Sequence, residues 1–221
     1  MLHRMANAAE FRCRLCLVTP PDYSSDAFAP RVADALAGGD VASLIITAPH
    51  NDATALQAAA EALVPIALNR GVAALIHNDT RVAARTKADG VHIDTGAADV
   101  AAALESLRNR KIVGAGGIRS RHEALEIGNV EPDYLFFGRL DGDFTDGIFP
   151  RARELAAWWS QVTVIPAMVM GGRELASVEE AASDGIGFVA LASAVWNDPR
   201  GPRAAVAEAN DRLALVREPA E

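Results

Sequence analysis

The stretch VTVIPAMVMGGRELASVEEAASDGIGFVALAS, residues 162–193, decides the fold class of this chain. Two apolar runs of strand length, Val162 to Val169 and Ile186 to Leu191, flank a segment with helical spacing. Each run leads into small residues, Gly171-Gly172 after the first and Ala192-Ser193 after the second. Small residues leave backbone N–H groups accessible, as a phosphate-binding loop requires. The paired turns indicate a phosphate site after two adjacent strands of a β/α barrel, or else merely tight strand-to-helix turns.

The rest of the chain repeats this alternation of short apolar runs with alanine-rich amphipathic segments, which is typical of consecutive β/α units. Eight such units without a break in composition predict an α/β protein with one closed, parallel (β/α)8 TIM barrel. An open doubly wound sheet is the alternative, but the first turn reads TPPD and lacks the expected glycines. The strands are predicted at 15–19, 41–47, 73–77, 90–93, 112–114, 134–137, 162–168 and 187–191, and the helices at 26–36, 53–68, 80–87, 99–108, 121–127, 149–159, 174–183 and 202–216.

The barrel is predicted to form a single domain over residues 15–216. An N-terminal extension, 1–14, would precede it, and a disordered tail, 217–221, would follow. Residues 138–147, GRLDGDFTDG, form the least regular internal segment and follow the sixth predicted strand. In a barrel such a loop lies over the active face, where it can act as a lid.

The net charge and the hydropathy pattern of the chain argue against nucleic acid and membranes as binding partners. A net charge of −8 argues against a nucleic-acid-binding surface, which needs a clustered basic excess. No apolar run approaches the roughly 18 to 20 residues of a membrane span, and the N-terminus lacks a signal-peptide core. We therefore expect a cytoplasmic protein without nucleic-acid or membrane partners. Cys13 and Cys16 form a C-x-x-C pair within a strand pattern, so we expect reduced, structural thiols.

Polar residues follow the predicted third strand. Asn78 and Asp79 offer oxygen ligands of the kind that Mg²⁺ prefers, and the adjacent Arg81 can hold a phosphate. Because the carboxyl ends of barrel strands gather the chemistry, Asn78 and Arg81 are candidate substrate-binding residues and Asp79 is a candidate metal ligand. The alternative is that Asp79 or Thr80 simply caps the next helix.

Two further strands end beside polar groups. His92, near the end of the fourth strand, is a candidate substrate-binding residue, although a lone strand histidine is often structural. After the fifth strand the run RSRHE, residues 119–123, contains Ser120 and His122. Arg119, Arg121 and Ser120 in this run are candidates for anion binding, and His122 is a candidate for general acid/base chemistry. The alternative is that Ser120 caps a helix and that surface charges follow it.

Five segments, taken together, carry a resemblance to a known family. They keep a common order and spacing over about residues 15–196 and read IHNDTRVAARTKADGVHI, RSRHEALEIG, PDYLFFG, VIPAMVMGG and DGIGFVALASAVW. In these segments the chain resembles the thiamine phosphate synthase and thiazole tautomerase superfamily of barrels. The resemblance implies a transferase of thiamine biosynthesis that joins a thiazole phosphate to a pyrimidine pyrophosphate and releases pyrophosphate with Mg²⁺. It would place Asn78 and Asp79 at the pyrophosphate and metal, and Gly171, Gly172, Ala192 and Ser193 around the thiazole phosphate.

The chain departs from the family pattern at several charged positions. The second strand ends in Leu44-Ile45-Ile46-Thr47-Ala48 where the family has Gln-Leu-Arg-x-Lys. The loop after the sixth strand lacks the family's lysine, and Arg139 there is a candidate catalytic cation in its place. The second metal carboxylate has no clear counterpart, although Asp94 and Asp99 lie nearby in the sequence. The absence of several charge-assisted contacts predicts slow release of pyrophosphate.

Two alternative functions follow from the same residues. A thiazole phosphate tautomerase would use a histidine after the fifth strand, the position of His122, as its acid/base. A non-catalytic protein that binds thiamine phosphate or thiazole phosphate would keep the phosphate turns without the catalytic charges. A homodimer is compatible with the sequence, which does not decide the oligomeric state.

Overall fold

A computed structural model of the chain describes residues 12–107 and 111–216. Within these ranges eight parallel strands close into a barrel in sequence order, which confirms the predicted (β/α)8 fold. The last strand pairs with the first, with Leu15 opposite Val189 and Leu17 opposite Leu191. The strands are β1 Arg14–Val18, β2 Ser43–Ile46, β3 Ala73–His77, β4 Gly90–Ile93, β5 Ile112–Ile118, β6 Tyr134–Phe137, β7 Ala167–Met170 and β8 Phe188–Leu191.

The helices surround the barrel because their apolar faces, rich in alanine, pack closely against the buried strands. A short helix after β8, which the sequence pattern did not predict, is held by Trp196, whose Nε1 donates to the carbonyl oxygen of Val18. The helices are α1 Ser25–Ala35, α2 Ala53–Leu68, α3 Thr80–Thr86, α4 Ala97–Leu107, α5 Arg121–Gly128, α6 Pro150–Val162, α7 Ser177–Ser183, α8 Ser193–Trp196 and α9 Pro202–Leu215. None of the helices in the described ranges is long and apolar enough to span a membrane.

The start of the seventh strand was predicted too early. Helix α6 continues to Val162, and Val164 in the connection is 98% exposed, so this part of the apolar run is not a strand. The connection is fixed locally, because the hydroxyl of Thr163 accepts a hydrogen bond from the backbone N–H of Ile165. Strand β7 begins only at Ala167, after the proline.

The predicted boundaries of the domain fall partly outside the described residues. Residues 1–11 of the predicted extension and the whole predicted tail, 217–221, lie outside them. Strand β1 begins at Arg14, whose guanidinium pairs with Asp40 at 2.8 Å.

The two cysteines lie in and beside β1. Both are buried, and neither forms a disulfide bond. Burial is the main cause that raises the pKa of Cys13 to about 12 and that of Cys16 to about 11. Both thiols are therefore protonated at neutral pH and unsuited to thiolate chemistry.

Two side chains inside the barrel, His92 and Tyr134, fit there only because the neighbouring strand β5 has glycine beside each of them. A Cβ built on Gly114 would lie 1.9 Å from Cζ of Tyr134, and one built on Gly116 would lie 2.7 Å from Nε2 of His92. The Tyr134 hydroxyl in turn lies 2.9 Å from Nδ1 of the fully buried His92. The two glycines therefore make room for the His92–Tyr134 pair inside the barrel.

Gly114→Ala should destabilise the protein by about 1 to 3 kcal/mol, because the new methyl group collides with the Tyr134 ring in a closely packed interior. Urea unfolding measures the loss. The double variant with Tyr134→Leu should lose less than the sum of the two single changes, since it removes the collision. Strict additivity would contradict this packing.

Candidate functional site

A cavity of about 710 Å³ opens at the carboxyl ends of the strands, where barrel enzymes hold their substrates. Residues that end or follow seven of the strands line it, because parallel strands joined in order bring these ends to one rim. The β6–α6 loop also lies over this rim and lines the cavity with residues 138–142 and 144. These lining residues include Thr19, Thr47, His77, His92, Asp94, Ile118, Arg119, Gly138 and Met170.

His77 and Asp94 lie in hydrogen-bond contact in the wall of this cavity. Nε2 of His77 lies 3.0 Å from Oδ2 of Asp94, and Nδ2 of Asn78 donates to the other carboxylate oxygen at 2.6 Å. The Asp94 backbone N–H donates back to Asn78 Oδ1 at 3.0 Å, which helps to hold Asn78 at a left-handed φ of 53°. The hydrogen bonds from His77 and then Asn78 keep the pKa of Asp94 well below its usual range. Asp94 is therefore an ionised anchor that orients both neighbours.

The predicted metal ligand Asp79 caps helix α3. Its Oδ1 accepts from the backbone N–H groups of Arg81 and Val82, at 2.9 and 2.8 Å. Asp79 does not line the cavity, and both oxygens of the nearby Asp94 are already engaged. Across the described ranges no group of three or more His, Cys, Asp or Glu side chains forms a metal site. The donor set thus does not fit a protein-held Mg²⁺ in this conformation.

His92 lies deeper, between the cavity and the barrel interior. Burial, followed by repulsion from His77, lowers its pKa, so His92 is neutral at physiological pH. Its Nδ1 is paired with Tyr134, while its buried Nε2 has no hydrogen-bond partner among the described residues. A neutral imidazole with one unsatisfied nitrogen in a cavity wall is suited to binding a polar ligand atom.

Three other candidates lie outside the cavity lining. Ser120 caps α5, where its hydroxyl accepts from the Glu123 backbone N–H at 3.2 Å. His122 is exposed in the first turn of the same helix, and Arg81 is exposed on α3. Of the predicted side chains, His92 and Arg139 therefore line the cavity, Asn78 lies beside it in contact with Asp94, and these three lie outside it.

The glycine turn after β7 lies under the β6–α6 loop. A Cβ on Gly172 would lie only 2.0 Å from the Asp146 carbonyl oxygen, so the loop backbone packs directly on this turn. The loop is anchored there by hydrogen bonds from the backbone N–H groups of Arg173 and Glu174, at 2.8 and 3.0 Å. Gly171 joins the barrel wall instead, because its N–H donates to Ala190 at 2.8 Å.

A carboxylate from this loop occupies the turn after β8. Oδ2 of Asp143 accepts from the backbone N–H of Ser193 at 2.7 Å, directly after the buried Ala192. The Ser193 hydroxyl oxygen is buried without a hydrogen-bond partner in the described part of the chain. The predicted phosphate-binding N–H therefore holds an anion already, but one supplied by the protein itself.

Sequence reasoning missed several residues of the cavity wall. Arg151 lines the cavity, as do Phe144 and Phe149, which are 66% and 54% exposed. Arg119, which the sequence analysis named as a candidate for anion binding, directly follows β5 and also lines the cavity. The positions of Phe144, Phe149 and Arg151 depend on the path of the irregular β6–α6 loop, which periodicity does not predict.

Asp94→Asn should cost more stability at neutral pH than in acid. The lowered pKa of Asp94 means that its stabilisation is present above the unfolded value of about 3.9 and is lost as the pH falls through the folded value. We expect a difference of about 1 kcal/mol between wild type and variant at pH 7, reduced for partial exposure. Urea unfolding at pH 7 and pH 3 measures it, and a difference that does not shrink in acid would contradict the ionised anchor.

Comparison with known proteins relates this geometry to a family. Residues 15–195 match the family model described as thiamine monophosphate synthase. The chain is 34% identical over 199 residues to the thiamine-phosphate synthase of Rhodospirillum centenum, covering 90% of this chain and 96% of that protein. It is 33% identical over 201 residues to that of Hyphomonas neptunium, covering 88% and 91%.

Solved structures show the same fold at lower identity. Thiamine phosphate pyrophosphorylase from Pyrococcus furiosus superposes with a TM-score of 0.75 at 22% identity, over 93% of this chain and 98% of that one. A 3-hexulose-6-phosphate synthase superposes with a TM-score of 0.68 at 16% identity, over 89% and 98%. The family match and the two relatives, which extend over most of the chain, establish that this protein belongs to the thiamine monophosphate synthase family.

Proposed function

We propose that this protein is a thiamine-phosphate synthase-like transferase, which joins a thiazole phosphate to a pyrimidine pyrophosphate and releases pyrophosphate. The observation that carries the proposal is the match to named synthases along 96% and 91% of their lengths. The cavity of about 710 Å³ falls in the range of roughly 300 to 1,000 Å³ that is typical of small-molecule sites. It thus has room for small phosphorylated rings beside polar groups that orient them.

The chain's own residues supply binding and orientation in this reaction. His92 offers a neutral ring nitrogen, and Asp94 holds His77 in the cavity wall and Asn78 beside it. When two substrates are held in the correct relative orientation, their reaction becomes effectively intramolecular. This positioning is the main contribution to catalysis that we expect from these cavity residues. Arg139 is proposed to stabilise the departing anion, since its ion pair with Asp141 is exposed and open to exchange.

In the proposed reaction, Mg²⁺ is a counter-ion that binds together with the pyrophosphate group of the substrate. When bound, the ion would neutralise charge on the departing oxygens. Asp79 has one carboxylate oxygen outside the helix cap, which is too little to hold the ion alone.

The tautomerase alternative is not favoured by the surroundings of His122. A general acid or base must reach the reacting atom within hydrogen-bond distance or through one water. His122 is exposed in the first turn of α5 and is absent from the lining of the cavity.

Purified protein given both synthase substrates and Mg²⁺ should form thiamine phosphate and an equal amount of pyrophosphate. We expect turnover below about 1 per second, because the end of β2 carries no cation, whereas ordinary enzymes reach about 10 per second. His122→Ala should keep this rate within about two-fold, since the side chain lies outside the cavity lining. Coupled phosphate release and chromatography of the product measure the reaction.

Two results would contradict the proposal. Binding of thiamine phosphate without any turnover would instead support a non-catalytic binding protein. Conversion of a thiazole phosphate tautomer that is lost in His122→Ala would support the tautomerase.

Asp143→Asn should lower the KM for the thiazole phosphate by about 10-fold. The wild-type carboxylate competes for the Ser193 N–H with the incoming phosphate, and a neutral amide accepts that hydrogen bond less strongly. Asp146→Asn is the matched control, because it removes the same charge from the same loop but contacts Arg173 rather than Ser193. Equal KM values for wild type and Asp143→Asn would show that the substrate phosphate binds elsewhere.

A further inference from the structure

Two acidic residues, Asp94 and Asp141, line the cavity, and their partners differ. The half-exposed carboxylate of Asp141 accepts two hydrogen bonds from the guanidinium of Arg139, at 2.9 and 2.8 Å. The carboxylate of Asp94 contacts Nε2 of His77 and the neutral amide of Asn78 instead. Across residues 12–107 and 111–216 no lysine or arginine side chain pairs with Asp94. Asp94 therefore presents a negative charge to the cavity without a permanent cation beside it.

The arginines of the cavity leave this charge uncompensated. Arg139 is paired with Asp141 and Arg151 with Glu154, at 2.8 and 3.0 Å. The charged groups that act on the Asp94 carboxylate are the two histidines, His77 and His92, and no arginine is among them. His92 is neutral at physiological pH, because burial lowers its pKa.

The Asp94 carboxylate is held in place and can still accept a further contact. Its side chain is 32% exposed, and its two hydrogen bonds, at 3.0 and 2.6 Å, use only part of the roughly four lone-pair positions of a carboxylate. The backbone is fixed as well, since a Cβ on Gly117 would lie 2.4 Å from the Asp94 carbonyl oxygen. A fixed charge of this kind stabilises an opposite charge without having to reorganise.

The cavity around Asp94 is partly apolar. Phe136 and Met170 are both buried and line the same space. An ionic interaction is stronger beside such apolar side chains than in open water, because the local dielectric constant is lower. A cation that enters the cavity is therefore expected to interact with Asp94 more strongly than with an exposed surface carboxylate.

His92 indicates independently that a ligand reaches this part of the cavity. Its Nε2 is buried and has no hydrogen-bond partner in the described part of the chain, although most buried polar atoms are satisfied. A Cβ built on Gly116 would lie 2.7 Å from this nitrogen and 3.3 Å from Cβ of Asp94. The unpartnered nitrogen and the carboxylate therefore flank the same glycine.

We propose that Asp94 binds a positively charged heteroaromatic ring and selects it over a neutral ring of the same shape. The identification of this ring as a thiazolium rests on the proposed function. In that reaction the thiazole nitrogen forms a bond to the methylene carbon of the pyrimidine, while the bond from that carbon to the pyrophosphate oxygen breaks and its electron pair leaves with pyrophosphate. The nitrogen gains a positive charge, so Asp94 stabilises the product-like state more than the neutral thiazole.

Two ligands that differ in charge test this selectivity by isothermal titration. They are thiamine phosphate and its neutral analogue in which a thiophene ring replaces the thiazolium. Wild type should bind thiamine phosphate at least about 10-fold more tightly than the analogue, the size expected for one charge-assisted contact. Asp94→Asn should weaken the binding of thiamine phosphate by about 10-fold and that of the analogue by less than two-fold, whereas Asp94→Glu should retain part of the preference.

Asp141→Asn is the matched control. It removes the same charge from the same cavity lining, but from a carboxylate that Arg139 already pairs. The ratio of its two affinities should stay within two-fold of the wild-type ratio. Because a loss of folded protein affects both ligands alike, this ratio also separates lost selectivity from lost stability.

These outcomes are distinct from those of the turnover assay. A preference for the cation that disappears in Asp94→Asn supports the inference even if the protein forms no thiamine phosphate. Wild type that binds both ligands equally, or binds neither, would overturn the inference even if the protein is an active synthase. A preference that Asp94→Asn retains in full would overturn it as well.

Discussion

The pairing of β8 with β1 closes the barrel, and the site depends on that closure. Four residue pairs join these strands, from Arg14 opposite Phe188 to Leu17 opposite Leu191. Once the sheet is closed, no strand presents an open edge, and the carboxyl ends of all the strands meet at one rim. Helix α8 reinforces the junction, because Trp196 donates to Val18 and packs on Phe28 with ring centroids 4.7 Å apart.

Two anchored features, Asp94 with its neighbours and the β6–α6 loop, then determine which polar groups the rim presents to a ligand. Asp94 orients His77 and Asn78 on one side, and it stays ionised because both neighbours donate to it. On the other side the β6–α6 loop is anchored on the β7–α7 turn and places Asp143 on Ser193. The loop thus packs on the glycine turn after β7, occupies the turn after β8 and places Arg139 in the cavity lining. A ligand that binds both regions would have to exchange protein carboxylates for its own phosphates.

Much of the fold could be predicted from the sequence, because each strand is a short apolar run bounded by turn residues. The error at β7 arose at residues 162–165, which are apolar except for Thr163 and lead from the end of α6 into an exposed connection; composition alone does not distinguish such a run from a strand. Helix α8 was missed because tertiary contacts of Trp196 hold it. In the site, strand-end position pointed to His92, which lines the cavity, and to Asn78, which contacts Asp94 beside it, whereas the positions of Arg151 and Asp143 depend on the path of the β6–α6 loop. Small residues predicted the phosphate turns but carried no information on the carboxylate that occupies one of them.

Phosphorylated substrates are proposed to bind in the cavity at the carboxyl ends of the strands. A crystal structure of the protein grown with thiamine phosphate tests this proposal most directly. We expect the rings of the ligand to lie in the cavity, in contact with His92 and Phe136. Thiamine phosphate bound outside this cavity would contradict the proposal.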